Sequence, residues 1–317
     1  MRIIGGLLDI HMRAQIMARY EVGSEEWHHA RMDRLGGSEI AAVLGLSPWE
    51  SRFSLWHRKQ GIGAPTVETD EMRWGRLLEA PILAEFERRH AGEFDLNADG
   101  ITLANRERPW QIATPDGILI HPEDAGITLG IVEVKTARTA DGWGLEGTDE
   151  VPVYYRTQAL WYLDALGLSV AHFAVLIAGS EYREYIVRAD ADEAAILRDA
   201  GAEFRADLEA GRRPNIDAHS STYQVIRELH EAIDDITVDV PHDIAEPYLA
   251  AVAALREAKT AAAQTTAIVA DFMGDARRAY WDGEQIAMRV PGRGTAPPFV
   301  RYTPPPKAPK TLKETSA

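Results

Sequence analysis

Cysteine is absent from the 317 residues. That excludes disulfides, thiolate zinc sites and iron–sulfur clusters. Also missing is any run of about 20 apolar residues, the length of a membrane span. A short apolar stretch, Ile3 to Ile10, is followed by no clear small-residue cleavage site, so it reads as a ragged start rather than a secretion signal. A cytoplasmic protein without a membrane partner is expected. Positive charge is scarce: 34 Lys and Arg stand against 49 Asp and Glu, a formal net charge of −15. That disfavours a general nucleic-acid coat protein, because neutralising phosphates takes Lys and Arg. It does not exclude an enzyme that grips a polyanion locally and gathers metal through carboxylates.

What is present is an ordinary globular balance, 45% hydrophobic and 26% charged, enough for one large domain or two modest ones. Residues 1–23 carry little signal. Two helices are expected between Trp27 and Gly61, one from Ser38 to Gly45 and one after Pro48, with Ser38 and Ser47 as N-caps. Thr69 to His90 has the period of a long amphipathic helix. Strands are then expected at 110–113, 118–120 and 131–134, a helix at 153–166, strands at 170–178 and 182–187, and a helix at 190–209. That order predicts an α/β core around a mixed sheet flanked by helices. A connector (214–240), an Ala-rich helical arm (243–278) and two strands with a Pro-rich tail (283–317) complete the chain. The expected divisions are an extension over 1–23, a core over 24–213, a linker and arm over 214–282, and a basic tail over 283–317. Between Ile286 and Lys313 lie Arg289, Arg293, Arg301, Lys307, Lys310 and Lys313 and no acid. This reads equally as a basic contact surface for DNA or as a solvated tail.

The sharpest chemical pattern is Pro115-Asp116 followed by Glu133-Val134-Lys135. Residues i and i+2 of a strand share a face, so Glu133 and Lys135 point one way and Val134 the other. If the strand that ends at the turn carrying Asp116 pairs with theirs, two carboxylates and an ammonium converge. Phosphodiester hydrolysis uses that kit: hard oxygen ligands for Mg²⁺, and a cation beside the attacking water. On its own the pattern is short, and a strand Glu-x-Lys pair is often a solvated face. Its setting in an apolar strand favours chemistry, since buried charges are tolerated when paired or metal-bound. His28, His29, His57 and His90 share no ligand spacing and are expected to be exposed.

Four blocks resemble a known family. They are Trp27 and Arg31 with Leu35-Gly36-Gly37-Ser38-Glu39-Ile40-Ala41-Ala42-Val43-Leu44-Gly45-Leu46-Ser47-Pro48; Trp74-Gly75 with Glu79; Ala113-Thr114-Pro115-Asp116-Gly117 with Glu133-Val134-Lys135-Thr136; and Tyr154 to Gln158 before Leu160 and Trp161. Together they resemble the YqaJ-type viral recombinases, relatives of the phage lambda exonuclease within the PD-(D/E)XK nuclease fold. The resemblance implies a metal site of Asp116, Glu133, Glu79 and the Val134 carbonyl, holding Mg²⁺ or Mn²⁺, with Lys135 acting on the water. It implies that Arg31, Ser38, Thr114 and Gln158 receive the 5′-phosphate of a DNA end. The block around Gln158 departs from the family in carrying Arg156 where Gln is usual, a possible further phosphate donor. The implied function is digestion of linear double-stranded DNA from an end, 5′ to 3′, in a bacterial host cell or from a prophage. The implied partners are an annealing protein that takes the 3′ strand and further copies of the chain, in a ring that is a trimer in lambda-type enzymes. A restriction- or repair-type endonuclease on the same fold, and a non-catalytic DNA-binding scaffold, remain alternatives.

Overall fold

The computed structural model describes residues 13–19, 24–62 and 68–303. Ile3 to Ile10 and Lys307, Lys310 and Lys313 lie outside them. The chain divides into two compact units, the first running to Glu231 and the second beginning at Ala232. In the first, β1 (Ala14–Arg19), α1 (Glu25–Arg31), β2 (Leu35–Gly36), α2 (Gly37–Val43), α3 (Arg52–Lys59) and α4 (Asp70–Arg89) come first. Next are β3 (Asp95–Asn97), β4 (Ile101–Asn105), β5 (Gln111–Ala113), β6 (Gly117–His121) and β7 (Asp124–Ala137). The unit ends with α5 (Val153–Leu166), β8 (Val170–Ile177), β9 (Glu181–Arg188), α6 (Ala191–Glu209) and α7 (Ser220–Leu229).

The central sheet is mixed, in the order β3-β6-β7-β8-β9. Only β7 and β8 run parallel, joined through α5; the other pairs are antiparallel. One face is covered by α4, whose Ile82, Leu83 and Phe86 pack on Leu119, Val132, Val134 and Ala174. The other face holds the larger core of Ile131, Phe173 and Val175 with α5 residues such as Leu160 and Trp161. Helix α5 has no polar stripe, as expected of a helix enclosed on every side.

A second sheet, β1-β4-β5-β2, lies beside it. Pro115 and Asp116 are the point at which the chain leaves this sheet, at the end of β5, and enters the central one at β6. The expected extension supplies β1, paired antiparallel to β4. The expected connector contains α7, tied to α3 where Ser51 Oγ lies 2.6 Å from Thr222 Oγ1. The packed first unit therefore reaches further at both ends than 24–213.

The caps differ from expectation at two serines. Gly36, not Ser38, is the N-cap of α2, and the Glu39 carboxylate accepts from the Gly36 N–H at 2.9 Å. Ser51 rather than Ser47 caps α3, accepting from Ser54 N–H. Ser47 instead closes the preceding turn, accepting from the N–H groups of Trp49 and Glu50. His57 is not exposed: it is 2% accessible, with Nδ1 2.8 Å from the Phe53 carbonyl.

In the second unit, α8 (His242–Met273) is followed by β10 (Arg278–Trp281), β11 (Glu284–Val290) and β12 (Phe299–Tyr302). These form an antiparallel sheet in that order. Asp282 and Gly283, both at positive φ, close the two-residue hairpin between β10 and β11, the geometry such turns favour. Among the described residues no helix is long and apolar enough to cross a membrane.

Candidate active site

Gly117 pairs with Val132 across β6 and β7, so the same register sets Asp116 opposite Glu133. Asp116 is fixed there by accepting the Val134 N–H at Oδ2, 2.7 Å. Alternation along β7 puts Val132 and Val134 under α4, leaving Glu133 and Lys135 on the α5 side. Lys135 Nζ lies 2.8 Å from Glu133 Oε2 and 5.1 Å from the Tyr155 ring centroid. Gln158 Nε2 donates to the same carboxylate oxygen at 2.8 Å. The other oxygen, Glu133 Oε1, is buried and has no hydrogen-bond partner.

Three carboxyls act on one ammonium. Burial pushes Glu133 up, and neighbouring Asp116 takes it further, to about 8, against the pull of Lys135. Burial also raises Asp116, opposed by Lys135 and by the Val134 N–H. Glu79, presented by α4, is pushed up to about 7 by burial and by Asp116. Burial works against the Lys135 charge, but Glu133 and Asp116 hold its ammonium well above the ordinary lysine range. Were all three carboxyls ionised, the pocket would hold more negative charge than its single lysine neutralises, and together with burial that repulsion is what raises them.

Oxygen ligands, three carboxyls that cannot all ionise without added positive charge, and an unsatisfied buried oxygen fit a hard divalent cation. Among the described residues no three carboxylate or imidazole groups are already drawn together as a ligand set. Glu133 spends one oxygen on Lys135 and Gln158, and Asp116 spends one on a backbone amide.

The four residues expected at a DNA end divide. Arg31, 6% exposed, donates from Nη2 to Ser38 Oγ at 3.3 Å, and Ser38 itself is exposed at the start of α2. Arg34 turns elsewhere, to the Ala30 carbonyl and Asp33. Thr114 lies just past β5, which runs parallel to β2 just before Ser38, and its hydroxyl is 3.0 Å from that of Thr102. Gln158 faces Glu133. Arg156, the further phosphate donor considered from sequence, is paired with Glu193 at 2.9 Å and Asp149 at 3.2 Å.

Gly36 and Gly37 bring these parts together. A Cβ on Gly36 would collide with the Arg31 guanidinium. On Gly37 it would lie 2.6 Å from Tyr162 Cε1 and 2.9 Å from the Gln158 carbonyl oxygen, so α2 approaches α5 as only glycine permits. Gly37→Ala is therefore expected to destabilise the protein by about 1–3 kcal/mol. Urea denaturation would measure it; an unchanged midpoint would mean that the helices part freely.

Beneath Arg31 is a charged cluster that the motifs did not announce. Glu39, 3% exposed, meets Lys59 Nζ at 2.8 Å, Arg58 at 3.2 Å and Arg31 at 3.4 Å. Burial pushes its carboxyl up, but the three cations more than reverse this and hold it well below the ordinary range. The capping spacing from Gly36 to Glu39 is visible in sequence; the partnership with Lys59 is tertiary and is not.

A mixed sheet flanked by helices, with Asp opposite Glu on paired strands and Lys two residues on, defines the PD-(D/E)XK nuclease class. Residues 26–168 match the model of the YqaJ-like viral recombinase domain, the family to which the four motif blocks pointed. The chain is 28% identical over 225 residues to the protein YqaJ of Bacillus subtilis (strain 168), covering 69% of this chain and 67% of that one. A protein of African swine fever virus is 34% identical over 137 residues, 41% of this chain and 36% of its own length. Among solved structures, the alkaline exonuclease from Laribacter hongkongensis is 18% identical with a TM-score of 0.45, covering 59% of this chain and 94% of that one.

Proposed function

We propose that this chain digests linear double-stranded DNA from an end, 5′ to 3′, leaving a 3′ single strand. The observation that carries the reading is Gln158. Its amide donates to Glu133, while its backbone carbonyl borders Gly37, next to Ser38 and Arg31. The carboxylate pocket and the Arg31–Ser38 pair therefore share one wall, α5. A guanidinium and a hydroxyl at an exposed helix start suit a terminal phosphate.

Asp116, Glu133, Glu79 and the Val134 carbonyl are the groups that would hold Mg²⁺, or Mn²⁺ in its place. When bound, the metal supplies Lewis-acid activation of the phosphoryl group and acidifies a water. Lys135 contributes a fixed ammonium beside the position of attack, and Tyr155 and Gln158 hold it and Glu133 in register. Arg31 and Ser38 would fix the 5′-phosphate and so the direction of travel. An annealing protein is the expected recipient of the 3′ strand, and a ring, as a trimer, the expected assembly. A ring also reconciles a locally basic channel with an acidic exterior.

The test uses three duplexes with Mg²⁺: linear with a 5′-phosphate, linear with a 5′-hydroxyl, and a covalently closed circle. Nucleotides are expected to be released fastest from the phosphorylated linear duplex and not at all from the circle. Cutting of the circle would establish an endonuclease instead, and no release from any linear duplex would establish a scaffold.

A further inference from the structure

In the first unit the arginines are largely spent on carboxylates. Arg52, Arg58, Arg88, Arg89, Arg108 and Arg198, among others, each make an ion pair. The three-stranded sheet of the second unit is different. Arg278, Arg289 and Arg301 have no carboxylate partner among the described residues.

The register sorts these side chains. Arg278 and Arg301 flank Met288 from its two neighbouring strands, so all three share a face. Val290 and its partner Phe299 are two residues along on the same face. Arg278 and Arg301 are exposed, and Phe299 is 53% accessible. Ala287, the one buried residue of the sheet, and Ala279 opposite it belong to the other face, as does Arg289. This face therefore carries two unpaired guanidinium groups across Met288 with the exposed Phe299 ring beside Arg301, whereas the other face carries Arg289 and the exposed Tyr302. At the hairpin end of the sheet two more aromatics, Tyr280 and Trp281, are exposed on alternate faces.

We infer that this face binds single-stranded DNA, with Arg278 and Arg301 on phosphates and Phe299 stacked on a base. Charge complementarity selects a polyanion, in a chain whose net charge of −15 otherwise repels one. The aromatic selects a single strand, because a duplex offers no free base face to stack on. The inference rests on the proposed exonuclease only for the source of the strand, the 3′ overhang left by digestion; binding itself requires no cleavage.

The test is fluorescence anisotropy of the full chain, in EDTA, with an end-labelled oligothymidine of about 20 nucleotides and a blunt duplex of equal length. Arg278→Ala/Arg301→Ala is expected to weaken strand binding at least about tenfold and to flatten the dependence on log salt by about 1.4. Phe299→Ala should weaken it about fivefold or more without changing that slope. Phe299→Leu, which retains apolar packing, should show the same loss and so separates stacking from misfolding. Arg289→Ala, on the other face, should stay within about twofold of the parent. Variants that bind the strand like the parent overturn the inference, as does an equal loss of duplex binding in Phe299→Ala. Failure here is distinct from failure of the nuclease reading: one concerns binding in EDTA, the other nucleotide release with Mg²⁺.

Discussion

Lys135→Ala is expected to slow nucleotide release from linear duplex DNA by about 10²–10³-fold, the usual cost of removing one preorganised group that meets developing charge. Affinity for the duplex should hardly change. The argument is electrostatic. Glu133, Asp116 and Glu79 surround one ammonium, and burial makes each carboxyl resist ionisation. Without Lys135, the pocket has no protein cation of its own to meet the charge that develops at the phosphoryl group, and that compensation would fall to the metal alone. The ammonium is positioned as well as charged, paired at 2.8 Å with Glu133 and set against the Tyr155 ring. Lys135→Arg keeps the charge on a larger, planar group and is expected to recover little of the rate. Single-turnover digestion with saturating enzyme separates this from weakened binding. Parent-like turnover in Lys135→Ala would remove the residue from the chemistry and with it the reading of the whole pocket.

That pocket was readable in sequence to the extent that its contacts are local or follow strand alternation. Glu133 and Lys135 share a face because they are two apart, and an apolar Ile131-Val132 run marks their strand. Helices α4 and α6 follow an amphipathic period and begin at side-chain N-caps, Thr69 and Asp190. What escaped depends on distant partners. The strands β1 and β4 are short and pair only with each other and β5, across almost ninety positions of chain. Ser38 has the chemistry of an N-cap, yet Gly36, two residues earlier, takes that place because Glu39 can satisfy the amide there. The burial of His57 and Lys59 follows from packing of α3 against its neighbours, which no single-segment pattern encodes. Even Asp116 depends on a tertiary fact, that the chain changes sheets at Pro115 and pairs β6 with β7 in one register.

Glu39→Gln is the variant expected to cost the most stability, about 3–5 kcal/mol, because it leaves buried cations without their counter-charge. Lys59 makes the case. Its ammonium donates to the carbonyls of Arg31 and Arg34 and to Glu39 at 2.5, 2.6 and 2.9 Å, and is otherwise enclosed. Burial already presses its pKa down, to about 8, with Glu39 opposing the shift. Two pH effects follow, with opposite signs. In the parent, Glu39 is depressed when folded, so its contribution is complete above the unfolded value of about 4.3 and declines as pH falls below it. In Glu39→Gln the lysine has lost its partner, and a folded pKa below the unfolded one penalises the charged form. With Glu39 no longer opposing the shift, the folded pKa falls below the parent's value of about 8, and the penalty fades as pH rises from that lowered value towards the ordinary lysine value of about 10.4. Urea denaturation across pH would show both: an acid limb in the parent that Glu39→Gln lacks, and an alkaline recovery in the variant. Glu39→Leu/Lys59→Met, which removes both charges, should be more stable than the sum of its single changes predicts. Additivity would mean the two charges do not support each other. Because Arg31 also leans on Glu39 at 3.4 Å, Glu39→Gln should further erode the preference for 5′-phosphorylated ends, whereas Gly37→Ala and Lys135→Ala act on the wall and on the chemistry. On the proposed reading the buried glutamate would join stability to end recognition, and a variant that lost stability but kept the full phosphate preference would separate them.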